Sequence, residues 1–291
     1  MGVIIGCLGV LCCVIIGLAG PGGTKLLGVL LQPYEFVVIA GCSFFTVIIG
    51  NPGNILKRLI PAVLGAVKGS GINKKTYLDL LGLMASIFDT MRREGVLGIE
   101  NDLANPKDSP RFKTYPAASN NHHLMETLVG ALRMFVDGVV NAFELERLLD
   151  TEIETHHEEE SIYPAVIQKF ADGFPALGIV AAVLGIIITM QALNEGPEAI
   201  GHHVAAALVG TLLGILLGYG FVSPIGSKME NNVKESTNIL KTVQIGLVAF
   251  AGGSPPQVAL EFSRKTIPSD MRPTAEELEQ IIKDAKSVKK E

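Results

Sequence analysis

The sequence predicts an all-α polytopic membrane protein with four transmembrane helices and a helical cytoplasmic domain. Three observations carry this. Residues 1–24, 36–56, 173–194 and 199–227 contain no Asp, Glu, Lys or Arg. Each run is long enough to cross a hydrocarbon core of ~30 Å at ~1.5 Å per residue. Of the 24 Lys and Arg residues, only Lys25 lies outside the stretches 53–173 and 223–291, which the positive-inside tendency assigns to the cytoplasm. The polar stretches show helical periodicity and no strand alternation. Four spans put both termini on the cytoplasmic side. The short, cation-poor connections at about 20–33 and 194–201 are then extracytoplasmic.

The chain accordingly divides into residues 1–52 with spans 1 and 2, a cytoplasmic helical domain over 53–173, spans 3 and 4 over 174–222, and a cytoplasmic helical tail over 223–291. The first apolar run lacks a basic leader and is longer than a signal-peptide core, so it reads as a retained helix ending at Gly20-Pro21-Gly22-Gly23. Span 2 ends at Asn51-Pro52-Gly53. Ile55, Leu56, Leu59, Ile60, Val63, Leu64 and Val67 then recur at a 3.6 period with cations opposite. That pattern fits either a helix along the inner membrane surface or one packed on the soluble domain. A helix over 75–94 closes at Gly95, and a polar, Pro-containing stretch runs from Asn101 to Asn121. A long helical pattern from His122 to about Phe170 is expected to break at Pro164. After span 4, a helix should run from Pro224 to about Phe250 and stop at Gly252-Gly253. Pro273-Thr274-Ala275-Glu276-Glu277 is a capping-box pattern opening a last charged helix.

Composition and motifs exclude several classes. The 53–173 segment holds 13 basic and 17 acidic residues, a mixed surface without the basic stripe of a nucleic-acid binder. There is no phosphate-binding Gly-rich loop, no His-Glu-x-x-His and no Gly-x-Ser-x-Gly, so no enzyme chemistry and no cofactor are indicated. Cys7, Cys12, Cys13 and Cys42 all lie in spans 1 and 2 and read as small hydrophobes. The pairs His122-His123 and His156-His157 read as parts of solvated helix faces, with no metal site expected.

Spans 3 and 4 differ from spans 1 and 2. Gly210, Gly214 and Gly218 recur every fourth residue in span 4, and Gly178-x-x-x-Ala182 and Ala181-x-x-x-Gly185 do so in span 3. Small residues at this spacing let membrane helices approach closely, so spans 3 and 4 should pack tightly and spans 1 and 2 lie toward lipid. Thr189 and Thr211 are the main polar side chains inside these runs; Glu35, His202 and His203 fall at span ends. Ionisable groups at membrane depth usually mark transport. Their absence means that the chain moves no ions or that a partner supplies the titrating group.

Several segments carry a resemblance that runs nearly end to end. They are Gln32–Gly41, Phe143-Glu144-Leu145-Glu146, Phe174–Gly185, Val209–Pro224, Glu261–Thr266 and Arg272-Pro273. In these segments the chain resembles the MotA family, the ring-forming subunits of bacterial flagellar stators within the MotA/TolQ/ExbB proton channel superfamily. The resemblance implies that Arg92 and Glu100, eight residues apart, contact charged groups of the rotor protein FliG, with Arg93 adjoining and Glu152 a weaker match. It implies that Pro175 and Pro224, at the cytoplasmic ends of spans 3 and 4, couple changes at membrane depth to the soluble domain. Sodium-using members commonly carry Thr at the positions of both Ala182 and Thr211. The alanine here removes one oxygen ligand and favours protons, while Thr189 lines the same span. The implied assembly is five copies around two copies of a single-span, peptidoglycan-anchored partner resembling MotB, in the bacterial inner membrane. The partner brings the missing aspartate. Two other readings stay open at this level: an energiser of outer-membrane processes resembling ExbB or TolQ, and a membrane scaffold that moves no ions.

Overall fold

The computed structural model describes residues 2–18, 32–191 and 196–287. The side chains of residues 198, 199, 202 and 287 are not described. Regular structure among the described residues is helical throughout. The helices are α1 (Gly2–Leu18), α2 (Pro33–Gly50), α3 (Gly53–Lys68), α4 (Lys74–Glu94), α5 (Glu100–Ala104), α6 (Pro110–Thr114), α7 (Pro116–Ser119) and α8 (His122–Val136). There follow α9 (Ala142–Gln191), α10 (Pro197–Ile215), a π-helical segment Leu216–Val222, α11 (Ser223–Ala251), α12 (Pro256–Thr266) and α13 (Ala275–Ser287).

Among the described residues, three stretches are long and apolar enough to cross a membrane: α2, the C-terminal part of α9, and the apolar part of the run from His203 to Ala251. The apolar α1 has 17 residues, ~25 Å at 1.5 Å per residue, slightly under a full hydrocarbon core. The two expected extracytoplasmic connections fall largely on residues 19–31 and 192–195, outside the described residues, as does Lys25.

The chain forms two compact units, each discontinuous in sequence. The first holds residues 1–69 and 160–232, and the second 70–159 and 233–291. This partition differs from the four successive segments expected from charge, because α9 and α11 each contribute to both units.

In the first unit, Ile39 of α2 is buried against Phe174 and Ala181 of α9. The amphipathic α3 buries Ala66 against Ile167 and Met229, which belong to the first unit and not to the second. It leaves Ile60 and Leu64 exposed. A helix with one face packed and large aliphatics on the other suits a position along the membrane surface.

The second unit is built around α4. Burial there extends around nearly the whole helix, including Tyr77, Leu80, Leu83, Met84, Ile87 and Phe88. Phe88 stacks on Phe250 of α11 with ring centroids 4.3 Å apart. Gly95 takes a φ of 84°, a left-handed conformation open to glycine, and ends α4 as the sequence predicts. Thr274 and Glu277 form the expected reciprocal cap: the Glu277 amide donates to Thr274 Oγ1 (3.1 Å), and the Thr274 amide donates to Glu277 Oε2 (2.7 Å).

The structure corrects two boundaries. The pattern from His122 to Phe170 is not one helix, because α8 ends at Val136 and Gly138, with φ of 68°, turns the chain into α9. Pro164 does not break α9, which runs for 50 residues through both Pro164 and Pro175. Each proline removes one backbone donor, but burial of Val166, Ile167, Ala171 and Phe174 holds the flanking turns in place. The Asn101–Asn121 stretch is also more ordered than a loop, since Pro110 and Pro116 open α6 and α7 at positions where a missing N–H costs little.

Candidate functional site

Two sets of residues stand out, one in each unit. In the membrane unit, α9 and α10 approach until backbones touch. A β-carbon on Gly178 would stand 3.0 Å from the Gly210 carbonyl oxygen and 3.2 Å from Gly214 Cα. One on Gly214 would lie 2.6 Å from the Phe174 carbonyl oxygen, and one on Gly218 would lie 2.6 Å from that of Ala171. On Gly185 it would meet Ala207 at 3.0 Å. Real β-carbons cannot sit at such distances from backbone, so glycine is required at the tightest of these positions.

The polar groups of this hairpin are few. Thr189 is buried and donates its hydroxyl to the Gly185 carbonyl at 2.8 Å. Thr211 and Ala182 are half-buried. Pro175 lies within α9, its Cδ 3.1 Å from the β position of Gly218, and so is not a helix boundary. Pro224 is exposed at the second residue of α11, directly after the π-helical segment Leu216–Val222. π segments leave part of the regular hydrogen-bond ladder open and are frequent at functional sites; a second one covers Val37–Gly41 in α2.

Sequence reasoning missed the depth of one carboxyl. Glu35 lies near the start of α2, as a span-end residue should, yet its Cγ stands 3.5 Å from the β position of Gly210. Gly210 is ~20 Å along α10 from its N-terminus at 1.5 Å per residue. Glu35 Oε2 is buried with no hydrogen-bond partner among the described residues. Only the close packing of α2 on Gly210 reveals this; in the sequence Glu35 is simply the last charge before an apolar run.

In the second unit, Arg92, Arg93 and Glu100 are exposed where α4 gives way, through Gly95 and a 3₁₀ turn over Val96–Ile99, to α5. Ile99 is fully buried and anchors the turn, while Leu97 is 66% exposed beside the charges. Arg93 Nε pairs with Asp89 at 3.2 Å. Arg92 and Glu100 form no ion pair among the described residues. Their side chains therefore remain available to charges on another molecule. Glu152 is placed differently: half-buried on α9, it accepts a hydrogen bond from Thr127 of α8. It makes no hydrogen bond or ion pair with Arg92, Arg93 or Glu100.

A second missed residue holds the exposed turn. Arg111 of α6 donates through Nε to Asp102 Oδ2 at 2.8 Å, and its Nη1 reaches the Ser86 carbonyl (2.6 Å) and Thr90 Oγ1 (2.9 Å) on α4. One guanidinium thus ties α4, α5 and α6 together around the Arg92–Glu100 turn.

Two arrangements elsewhere in this unit concern titratable groups. His122, His123 and Glu126 bring ligand atoms within 4.8 Å of one another, but all three are exposed at the start of α8, as solvated groups commonly are. Burial, helped by Glu235 and Asp270, pushes the Tyr77 phenol up to about 12.

Comparison with known proteins identifies the family. The family profile described as Motility protein A N-terminal matches residues 4–95, and that of the MotA/TolQ/ExbB proton channel family matches residues 119–242. Motility protein A of Salmonella typhimurium is 37% identical over 88% of this chain and 87% of its own length. That of Escherichia coli is 35% identical over 98% and 96%. Chemotaxis protein LafT of Vibrio parahaemolyticus is 36% identical over 96% and 97%. The fold matches that of a chain in the C. jejuni MotAB structure, with a TM-score of 0.77 over 92% of this chain and 96% of that one at 22% identity. It likewise matches one in the flagellar MotAB stator complex of Bacillus subtilis, with a TM-score of 0.76 at the same coverage and identity. With its membrane-length apolar helices, its glycine-packed hairpin and these full-length relatives, the chain belongs to the Motility protein A group of the MotA/TolQ/ExbB proton channel family.

Proposed function

We propose that this chain is the ring subunit of a proton-driven flagellar stator in the bacterial inner membrane. Four spans, with α1 as the first, place both termini in the cytoplasm. Five copies surround two copies of a MotB-like single-span partner anchored to peptidoglycan. The α9–α10 hairpin, with Ala182, Thr189 and Thr211, faces that partner, whose carboxylate takes up and releases the transported proton. Each unit charge crossing 100 mV yields ~2.3 kcal/mol. Pro175 and Pro224 relay the change at membrane depth to the soluble unit, where Arg92, Arg93 and Glu100 act on rotor charges of FliG. Glu152, tied to Thr127, takes a lesser part.

The observation that carries this reading is the 35–37% identity to Motility protein A proteins over most of the chain. The exposed charges of the Arg92–Glu100 turn, free of ion pairs for Arg92 and Glu100, support it. A match to the N-terminal Motility protein A profile favours a stator over an ExbB- or TolQ-like energiser.

Deleting the gene tests the stator role. Swimming assays and electron microscopy should show paralysed cells with intact flagella, and normal swimming in a host without a second stator would overturn the reading. Restoring Arg92→Glu or Glu100→Lys forms should give assembled but weakly motile complexes. Collapse of the proton gradient should stop swimming, and removal of sodium should not.

A further inference from the structure

A groove of about 680 Å³ opens in the membrane unit between the N-terminal half of α1, the end of α3 and the junction of the π segment with α11. Its walls are apolar, formed by Val3, Val10, Phe221 and Ile225, and Gly6 leaves its floor open, with nothing within 4 Å of its β position. Lys68 and Lys228 also line it, and no acidic residue among the described ones does. Neither lysine forms an ion pair among the described residues. Lys68 is the last residue of α3, after which Gly69 turns the chain away with φ of 92°.

The geometry points to a binding site for one acidic phospholipid. An acyl chain is the natural occupant of an apolar groove in a membrane unit, because its contacts there replace equivalent contacts with neighbouring lipid. The headgroup is where selectivity arises. Two ammonium groups without anionic partners attract a phosphodiester with net negative charge, whereas a zwitterionic headgroup carries its own cation into the site. Long lysine stems lie along apolar surface while their heads reach the interface. Basic pockets between membrane helices on the cytoplasmic side take acidic headgroups in this way. The site rests on the orientation proposed above, with Lys68 and Lys228 on the inner leaflet, but not on any motor activity.

The test uses the full chain with its partner, reconstituted in phosphatidylcholine vesicles holding a trace of spin-labelled phosphatidylglycerol or spin-labelled phosphatidylcholine. Electron paramagnetic resonance measures the motionally restricted fraction of each. The wild-type protein should retain phosphatidylglycerol over phosphatidylcholine, at roughly five-fold per lysine. The Lys68→Gln/Lys228→Gln variant should lose that preference. Lys57→Gln/Arg58→Gln, which removes the same charge from exposed positions of α3, should keep it. Gly6→Leu, which fills the groove without changing charge, should lower retention of the acidic lipid several-fold. Equal loss in both charge variants would assign the preference to diffuse surface charge and overturn the site. Unchanged retention in Gly6→Leu would also overturn it. So would a wild-type protein without preference, the result expected if a second copy of the chain covers the groove.

Discussion

Replacing Arg111 with methionine tests how the exposed turn between Arg92 and Glu100 is held. Arg111 and Asp102 have side chains 11% and 22% exposed and meet at 2.8 Å. The same guanidinium serves the Ser86 carbonyl and Thr90 Oγ1 on α4. Removing one partner of a buried ion pair costs about 3–5 kcal/mol. Residual water access at this pair lowers that to about 2–3 kcal/mol, since exposed pairs contribute little. Methionine keeps most of the apolar stem, so lost packing adds only a small amount. Thr90 Oγ1 still donates to the Ser86 carbonyl at 3.0 Å, so that acceptor is not orphaned. For a unit of about 150 residues, 2–3 kcal/mol corresponds to a fall in Tm of roughly 5–10 °C. Differential scanning fluorimetry of the full chain in detergent measures it, and hydrogen exchange over residues 96–104 should accelerate if the turn loosens. Combination with Asp102→Asn should show strong non-additivity, because the two side chains share one interaction. A melting temperature within about 1 °C of wild type, with unchanged exchange over that turn, would refute the idea that Arg111 holds it.

Gly214→Val should prevent α9 and α10 from closing, because its β-carbon would fall 2.6 Å from the Phe174 carbonyl oxygen. A stability loss of at least about 3 kcal/mol and poor membrane yield are expected, whereas Gly201→Ala, with open space at its β position, should behave as wild type. Equal yields and unfolding midpoints for the two would count against backbone contact in the hairpin. The raised Tyr77 phenol has a definite alkaline consequence: from pH 10 toward 12 the unfolded chain gives up a proton that the fold retains, so stability falls as pH rises. Tyr77 Oη has no hydrogen-bond partner among the described residues, so Tyr77→Phe should match wild type near neutrality and lessen that alkaline loss. Urea midpoints for both proteins at about pH 9 and about pH 11 decide it, and parallel curves would refute the assignment. Glu35→Gln keeps the shape of a side chain packed on Gly210 and removes its capacity for charge. Its Tm should equal or exceed that of wild type, since Oε2 of the half-buried Glu35 is buried without a hydrogen-bond partner among the described residues, and a drop of several degrees would mean the carboxylate has a partner.

Much of this architecture is local and therefore legible in the chain. Charge-free runs mark apolar helices because no charged side chain is cheaply held in hydrocarbon. The four-residue spacing of Gly210, Gly214 and Gly218 marks a contact face because it repeats nearly with the helix turn. Gly95 and the Thr274–Glu277 cap mark helix ends through the backbone geometry and hydrogen bonds of a few neighbouring residues. Arg92 and Glu100 are singled out only by the resemblance, and the structure shows both exposed on either side of the apolar turn Gly95–Ile99. What the sequence left open depended on residues far apart along it. Pro164 reads as a break because the local rule counts a lost N–H, while the fold keeps α9 continuous by burying the turns on either side. Arg111 reads as one more surface cation, and only the fold brings it to Ser86, 25 residues earlier. Glu35 reads as the edge of a span, and only the packing of α2 on α10 sets it against Gly210. Periodicity, caps and charge report what a segment prefers by itself, whereas depth, partners and continuity through a proline are set by the segments that pack against it.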